Sequence, residues 1–313
     1  MTQSEPEIGS PPDTMDEQRA AAPAARQELS LSEAESISAS LWDQDVNSWE
    51  RYWVPAFTLF ARDLVSDASL LPGDVALDVG TGSGVAAFEA RRAVRPSGFV
   101  IGIDRCARMI ALARMKASRA GLRNVRFFRI FAEDLPFPEG FFDAVISNCG
   151  IPIVGLSVVL KEILRVLRPG GKLVYNDWHL IDIKPHRIFG DVLGRYRTSS
   201  PSLQLARERS ALAKLESYHR SLSSEVQAQM VSAAGFRKVV ATSHQHKVRL
   251  ESVGFYLEMR MARATMRREL SEMSPDKREG FLIQLRDRLQ EFRLRRAFVF
   301  DWPVFYISAE KRL

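Results

Sequence analysis

The stretch that most constrains the fold of this chain is residues 75–84, which read VALDVGTGSG. Its apolar residues predict a short buried strand, and Gly80, Gly82 and Gly84 predict a tight turn into a helix. Alternating glycines let the backbone approach a ligand closely, and the start of the following helix offers free N–H groups to it. The third glycine comes one residue earlier than in the dinucleotide fingerprint G-x-G-x-x-G, and Val85 takes the place of that glycine. The stretch therefore predicts a ligand-binding turn whose spacing is not that of a dinucleotide site.

Strands and helices alternate through the next hundred residues. Strands are predicted at 75–79, 99–104, 125–130, 142–148 and 172–176, and helices at 83–95, 105–120 and 158–167. A tight turn is expected at Arg168-Pro169-Gly170-Gly171, just before the fifth strand. This alternation predicts βαβ units and a doubly wound, mostly parallel sheet of the α/β class. A helix at 224–234 and strands at 237–242 and 304–308 complete a sheet of seven strands.

The second predicted strand, FVIGID, ends in Asp104, twenty residues after Gly84. In a doubly wound sheet this acid lies beside the glycine turn, at the carboxyl ends of adjacent strands. A carboxylate in that position can accept both hydrogen bonds of a ribose diol. The distance from the turn is what gives Asp104 its significance, because carboxylates at strand ends are common.

The composition is that of a soluble globular protein, with 46% hydrophobic and 26% charged residues among 313. No stretch approaches the about 20 apolar residues of a membrane span, and the N-terminus lacks a signal pattern, so a cytoplasmic protein is expected. Cys106 and Cys149 are too few for a disulfide framework or a cysteine-based zinc site. The net charge of +6 is spread over most helices, which indicates a solvated surface rather than a nucleic-acid partner.

The first 70 residues of the chain are expected to contain a tail and a lid. Residues 1–30 lack large apolar side chains and are predicted to be disordered. The fold is predicted to begin with a capping box from Ser32 to Glu35, followed by a helical lid over residues 31–70, with the main domain at 71–313. The lid region is rich in aromatic residues, which either pack on the sheet as an amphipathic helix or close over the ligand: Trp42, Trp49, Tyr52, Trp53 and Phe57.

Two helical segments, residues 178–220 and 251–296, interrupt the alternation and are predicted to cap the carboxyl edge of the sheet. The second is expected to be interrupted near Ser274-Pro275. It carries an apolar stripe at helical spacing, formed by Phe255, Met259, Ala262 and Met266. Packing on the domain is the plain interpretation of that stripe. A dimer surface and a gate that shields the pocket mouth remain open.

Residues 74–173 resemble the type 11, or UbiE-like, group of class I S-adenosylmethionine-dependent methyltransferases. The matching pieces are LDVGTGSG, VIGID, the helix with Met109, AEDLPFPEGFFDAVIS and KEILRVLRPGGKL. The resemblance implies a Rossmann-like seven-stranded fold and S-adenosylmethionine as cofactor. It implies that the first turn holds the amino-acid end of the cofactor, that Asp104 holds the ribose, and that Met109 packs on the adenine.

Carried over residue by residue, the resemblance predicts a cofactor site made of Asp78, Gly80, Thr81, Gly82, Ser83, Gly84, Asp104, Arg105, Met109, Ala132, Glu133 and Asn148. One position departs from the family pattern. Phe131 stands where the family usually has an acid that binds the adenine amino group, so adenine recognition is expected to shift to Glu133, Asp134 or the backbone.

Methyl transfer is an in-line displacement. It depends more on aligning the nucleophile with the methyl group and excluding water than on a catalytic motif. A hydroxyl acceptor also needs a base. His179, shortly after the fifth strand, is the candidate base, with an ordinary loop residue as its alternative, and His186 is weaker. His244 and His246 have no acid or cysteine nearby in sequence, so no metal site is expected.

The substrate is only loosely constrained. The sequence Ser147-Asn148-Cys149-Gly150 is not the Asn/Asp-Pro-Pro-aromatic run associated with methylation of nucleic-acid bases. It is similar to arsenite methyltransferases, but those need further thiols. A capped aromatic pocket favours O-, N- or C-methylation of a small or medium-sized organic molecule. The alternatives are a catalytically weak scaffold of the same fold, supported by Phe131, and an RNA methyltransferase. A homodimer is left open.

Overall fold

A computed structural model describes residues 28–178 and 183–313. Within those ranges one sheet has the strand order β3-β2-β1-β4-β5-β8-β6, and a short β7 pairs with β8. The strands are β1 (Val75–Val79), β2 (Phe99–Asp104), β3 (Val125–Arg129), β4 (Phe142–Asn148), β5 (Leu167–Asp177), β6 (Arg237–Leu250), β7 (Arg293–Leu294) and β8 (Ala297–Glu310). The five strands of the first half pair in parallel, and β8 pairs antiparallel with both β5 and β6. The predicted doubly wound, mostly parallel sheet is confirmed.

The helices cover both faces of this sheet. They are α1 (Leu31–Ser48), α2 (Val54–Ala68), α3 (Val85–Val94), α4 (Ala107–Arg119), α5 (Leu156–Val166), α6 (Lys184–Tyr196), α7 (Leu203–Ser221), α8 (Ser224–Ala233), α9 (Val253–Met261), α10 (Ala264–Ser271) and α11 (Pro275–Arg288). One core lies between the sheet and α2, α3 and α4, and a second lies between the sheet and α5 and α8. The predicted helices of the parallel half lie within two residues of these bounds, because glycines and the Pro96-Ser97-Gly98 turn mark their ends.

Strands β6 and β8 are much longer than predicted. Each has 14 residues, against six and five expected, and they remain paired from Arg237–Glu310 to Leu250–Phe298. Asp301 and Pro303 interrupt the apolar run of β8 in sequence and hide its continuation. Pairing with β5 stops at Phe305, so Pro303 lies where the strand has a partner on one side only, and there its missing N–H costs no ladder bond.

The turn predicted at residues 168–171 takes the form of a break within β5: these four residues lie opposite Asp143 alone and interrupt the register of the β4–β5 pairing. Gly170 adopts φ +74° and donates its N–H to the carbonyl of Lys311, and the N–H of Lys311 binds the carbonyl of Gly171. These bonds hold the segment in the sheet. The glycines therefore bend the strand at the position of the predicted turn.

The cap of helix α1 lies two residues earlier than predicted. The capping box is formed by Ser30 and Glu33, not by Ser32 and Glu35: Ser30 Oγ accepts from Glu33 N at 3.2 Å, and Ser30 N donates to Glu33 Oε2 at 2.7 Å. A π-helical turn, Trp49–Trp53, joins α1 to α2. The disorder prediction for residues 1–30 falls on residues 1–27, which lie outside the described part of the chain, and on three residues that lead into α1.

The segment 251–296 has one more break than predicted. Ser274 caps α11 as expected, but α9 also ends at Met261 and α10 starts at Ala264. The carboxylate of Asp45, at the end of α1, accepts the N–H of Ala264 at 2.7 Å and lies 2.7 Å from Arg263 Nε. An acid that caps a helix N-terminus favours a new helix start at that residue. The predicted stripe is therefore divided between two helices.

The caps expected at the carboxyl edge consist of α6 and α7 in the first insertion and α9–α11 in the second. Helix α7 packs along α1, α10 contacts both α1 and α7, and α11 packs on α6. None of the helices described is long and apolar enough to cross a membrane.

Candidate active site

The glycine turn after β1 has the backbone that its sequence demands. Gly80, Gly82 and Gly84 have φ of +66°, +53° and +91°, a region that side chains other than glycine rarely adopt. Thr81 N donates to the carbonyl of Ile103 at 2.9 Å, and Thr81 Oγ1 donates to Asp78 Oδ2 at 2.6 Å. The turn is thereby tied to β1 and β2 at once. Gly80, Thr81 and Gly82 line an open cavity.

A second glycine, which the sequence analysis did not single out, supports this turn. Gly150 follows β4 and lies backbone to backbone against Gly80, so closely that a Cβ on either residue would overlap the carbonyl of the other. By contrast, a Cβ on Gly82 would meet nothing nearer than Trp49 Nε1, at 3.9 Å. The turn is therefore fixed from below at Gly80 and open to a ligand at Gly82.

Asp104 lies beside the turn, as predicted. Its Oδ2 accepts from Gly82 N and its Oδ1 accepts from Cys106 N, both at 2.8 Å. These two bonds join the glycine turn to the start of α4 through one carboxylate. Each carboxylate oxygen has a further lone pair that a ligand hydroxyl can use. Burial raises the pKa of Asp104, although the two backbone N–H donors act in the opposite direction.

Asp78 is fully buried under the turn, and burial raises its pKa to about 7. A carboxyl group with such a pKa gains a charge readily when a cation arrives beside it. The arrangement suits a ligand that carries positive charge at the end next to the turn.

The cavity above the turn, called here the glycine-turn cavity, has a volume of about 590 Å³. Ten of the twelve predicted cofactor residues line it, namely Asp78, Gly80, Thr81, Gly82, Asp104, Arg105, Met109, Ala132, Glu133 and Asn148. Ser83 and Gly84 lie behind the wall, where Ser83 is buried and Gly84 precedes the first residue of α3. The cavity is within the about 300–1,000 Å³ typical of cofactor sites.

Helix α1 forms the roof of the glycine-turn cavity, which the sequence did not predict in detail. Ser32, Glu35, Ser36, Ala39, Trp42 and Asp43 line it from above. Three contacts hold the roof on α4: Glu35 Oε1 pairs with Arg105 at 2.9 Å, Asp43 Oδ1 accepts from Cys106 Sγ at 2.7 Å, and the Asp43 carbonyl accepts from Arg108 at 2.6 Å. Local sequence patterns do not predict these pairs, because their partners are more than sixty residues apart.

The two alternatives for the aromatic region are both realised, by different residues. Trp53 and Phe57 are buried against the sheet, together with Trp302. Trp42 and Trp49 line the cavity and meet edge to face with 5.4 Å between ring centroids. Trp49 Nε1 is buried and has no hydrogen-bond partner among the described residues. A buried donor beside Gly82 is a position for a ligand acceptor.

Phe131 occupies the position of the missing family acid. It is 46% exposed at the rim of the cavity, and the guanidinium of Arg105 lies 5.5 Å from the centre of its ring. This cation–π contact, together with the Glu35–Arg105 pair, closes the rim above Ala132 and Glu133. The aromatic ring therefore supports the wall of the cavity.

Polar side chains at the ends of β4 and β5 form the floor of the cavity on the acceptor side. Asn148 donates to the carbonyl of Phe57 and accepts from Asn176, which in turn accepts from the N–H of Cys149. Cys149 has φ +55°, and burial raises the pKa of its thiol. These bonds fix the loop that carries Gly150.

The predicted base, His179, lies outside the described residues. The structure instead places His219 of α7 at the same edge of the sheet, where its Nε2 lies 2.6 Å from Asp177 Oδ2 at the end of β5. His186 is fully buried among Trp53, Trp178 and Trp302, and burial holds its pKa well below the usual value, so that its ring is neutral. Sequence reasoning missed the His219–Asp177 pair because 42 residues separate its members.

The pair between His219 and Asp177 predicts a pH-dependent stability. Burial lowers the pKa of His219, but the bond to Asp177 and its charge outweigh burial, and the net shift is upward. Because the pKa of His219 is higher in the folded state, the pair contributes its full stabilisation below about pH 6.5, the pKa of an unfolded histidine. This stabilisation is lost as the pH rises through the folded-state pKa. We expect His219→Gln to lower the free energy of unfolding by about 1–2 kcal/mol at pH 6 and by less at alkaline pH. Urea denaturation across that range measures this difference, and the same substitution in an Asp177→Asn background should show no such pH dependence.

Residues 70–188 match the model of a methyltransferase domain family. They contain the glycine turn, Asp104 and the floor residues of the cavity, and their strands have the order β3-β2-β1-β4-β5. This region is a class I methyltransferase domain. The predicted resemblance and the predicted Rossmann-like fold are thereby confirmed.

Curated proteins similar to this methyltransferase domain include enzymes with different small-molecule substrates. An arsenite methyltransferase of Aquipseudomonas alcaligenes is 38% identical over 120 residues, covering 35% of this chain and 34% of the relative. The ubiquinone/menaquinone biosynthesis C-methyltransferase UbiE of Bdellovibrio bacteriovorus is 34% identical over 139 residues, covering 44% of this chain and 57% of the relative. The chain thus spans between a third and little more than half of the length of these relatives.

A solved structure extends the likeness beyond the methyltransferase domain. Phosphoethanolamine N-methyltransferase 2 of Haemonchus contortus, in complex with phosphomonomethylethanolamine and S-adenosylhomocysteine, superposes with a TM-score of 0.51 at 17% identity. The superposition covers 91% of this chain and 61% of that chain. At this identity the likeness concerns the fold.

Proposed function

We propose that this protein is an S-adenosylmethionine-dependent methyltransferase that acts on a small or medium-sized organic molecule. The observation that carries the proposal is the glycine-turn cavity, where Asp104 joins the turn to α4 and helix α1 forms the roof. It is supported by the match to a methyltransferase domain family and by relatives that are methyltransferases.

The residues of the cavity fit S-adenosylmethionine. Asp104 has lone pairs for the ribose diol, and Met109, Ala132 and Glu133 line the part of the wall that the resemblance assigns to adenine. Trp49 Nε1 suits the cofactor carboxylate, and buried Asp78 suits its positive charge. When bound, the cofactor supplies an electrophilic methyl group on a sulfonium.

The chain's own task in the reaction is to align the acceptor, exclude water and take up a proton where the acceptor loses one. The α1 roof excludes water, and the Asn148–Asn176 floor holds the edge where an acceptor would arrive. His219, paired with Asp177, is the base candidate among the described histidines at this edge, and His179 remains a candidate two residues after Asp177. A base of this kind predicts a rate that rises with pH to a plateau.

The two thiols of the chain argue against arsenite as the methyl acceptor. Arsenite chemistry would need several accessible thiolates, but the chain contains two cysteines. Burial raises the pKa of Cys106 to about 12, and it raises that of Cys149 as well. Thiols that stay protonated are poor ligands for arsenic, so an organic acceptor is favoured.

A second candidate, a scaffold that binds the cofactor and transfers nothing, is supported by Phe131 alone. The contact of Phe131 with Arg105 helps to form the rim of the cavity, which is compatible with cofactor binding in both candidates. A cytoplasmic location and a function without nucleic acid belong to the proposal, and a homodimer remains a prediction.

The experiment that separates these functions uses S-adenosylmethionine labelled in its methyl group. The protein is incubated with the labelled cofactor and an extract of the organism from which it comes. We expect label in the small-molecule fraction. Label confined to RNA would point to the nucleic-acid alternative, and tight binding without any transfer would point to the scaffold. A protein that binds NAD and not S-adenosylmethionine would contradict the proposal as a whole.

A further inference from the structure

A cluster of potential metal ligands lies outside the glycine-turn cavity, where α2 crosses β6. Asp63 comes from the second half of α2, and His244 and His246 are alternate residues of β6, so that both imidazoles point to the same side of the strand. Asp63 Oδ2 lies 3.2 Å from His244 Nδ1 and 3.8 Å from His246 Nε2. The three ligand atoms all lie within 4.8 Å of one another.

We propose that Asp63, His244 and His246 form a binding site for a divalent transition-metal ion, with Zn²⁺ the ion that the donor set suits best. Zinc binds imidazole nitrogen and carboxylate oxygen at about 2.0–2.2 Å, and in a tetrahedron such bonds place neighbouring ligands roughly 3.3 Å apart. The separations of 3.2 and 3.8 Å from Asp63 lie close to this value. Two imidazoles and one carboxylate fill three positions and leave the fourth to water or to another oxygen.

The surroundings of the cluster hold its ligands in place. The ring of His246 packs on Phe60 and that of His244 on Tyr306, each with 4.7 Å between centroids. The hydroxyl of Tyr306 lies 2.9 Å from His246 Nε2, near enough to serve as a further oxygen at the site or to bind a metal-bound water. Rings fixed by packing lose little freedom when an ion binds.

Charge at the cluster also favours a cation. Asp67 lies one helical turn after Asp63 and interacts electrostatically with both Asp63 and His244. Two carboxylates on one face of α2 thus confront the two imidazoles.

The test is calorimetric titration of the chelator-treated, full-length chain with Zn²⁺ alone. We expect one ion per chain with micromolar or tighter affinity. His244→Ala and Asp63→Asn should each weaken that affinity roughly 100-fold or more, because each removes a direct ligand. Asp276→Asn is the matched control, since it makes the same change as Asp63→Asn at an exposed acid of α11 outside the cluster, and its affinity should stay within about twofold of the wild type.

A second readout is the thermal stability of the same proteins. Asp63→Asn keeps the size of the side chain at a partly exposed position, so the variant is expected to fold. Zn²⁺ at a hundredfold excess over its dissociation constant should raise the Tm of the wild type by about 5 °C, and it should leave the Tm of Asp63→Asn unchanged. Zinc affinity that survives both ligand substitutions, affinity weaker than millimolar, or an equal rise of Tm in Asp63→Asn would overturn the proposal. Each of these outcomes is independent of methyl transfer.

Discussion

Asp104→Ala is expected to weaken the binding of S-adenosylmethionine roughly 100- to 1,000-fold. The substitution removes the two carboxylate oxygens that we propose accept from the ribose, and a hydrogen bond to a charged group contributes about 1.5–3 kcal/mol. It also releases Gly82 N and Cys106 N, which the carboxylate holds at 2.8 Å each, so the glycine turn and the start of α4 lose their connection. Calorimetric titration with S-adenosylmethionine measures the loss directly.

Two further variants make this expectation specific. Asp104→Asn keeps one acceptor oxygen and the shape of the side chain, and it should lose less affinity than Asp104→Ala. Asp276→Ala removes an exposed acid at the start of α11 and should bind the cofactor as the wild type does. Equal affinity of Asp104→Ala and the wild type would show that the ribose is held elsewhere.

Gly150→Ala is expected to lower cofactor affinity at least about tenfold. The substitution adds only one methyl group to the cavity wall. The added Cβ would overlap the carbonyl oxygen of Gly80, so one of two backbone segments must move. Displacement of the glycine turn would move Gly82, which lines the cavity and donates to Asp104. Displacement of packed backbone also costs about 1–3 kcal/mol of stability, which denaturant unfolding measures.

Gly190→Ala provides the control for this prediction. Gly190 lies in α6 with no atom within 4 Å of a Cβ built on it, so alanine there should raise stability by up to about 1 kcal/mol and leave cofactor affinity unchanged. If Gly150→Ala bound the cofactor as tightly as Gly190→Ala, the close contact of the two glycines would have no part in binding.

The sequence predicts the parallel half of the fold and the cofactor side of the cavity well, because both depend on local signals. Strands β2 and β4 have the predicted bounds, and Asp104 stands where strand order alone would place it. The glycine turn can be predicted from the sequence because residues other than glycine rarely adopt its backbone angles. Each of these features is encoded within about thirty residues of chain.

The parts that sequence reasoning missed depend on contacts between distant residues. The roof over the cavity rests on Glu35 and Arg105, and the break between α9 and α10 rests on Asp45, 219 residues from Ala264. The metal-ligand cluster was dismissed from sequence because no acid lies near His244 in the chain. Asp63, 181 residues away, supplies it. Periodicity and spacing carry no information on such pairs.

The contacts that hold α1 over the cavity differ in their sensitivity to salt. Helix α1 covers the cavity from above, so loosening of this helix would open the cavity to solvent. The ion pair between Glu35, near the N-terminal end of α1, and Arg105 is partly exposed and weakens with salt. Asp45, near the C-terminal end of α1, is buried against Arg263, so salt screens that pair much less. Raising the ionic strength is therefore expected to loosen the N-terminal end of α1 more than its C-terminal end.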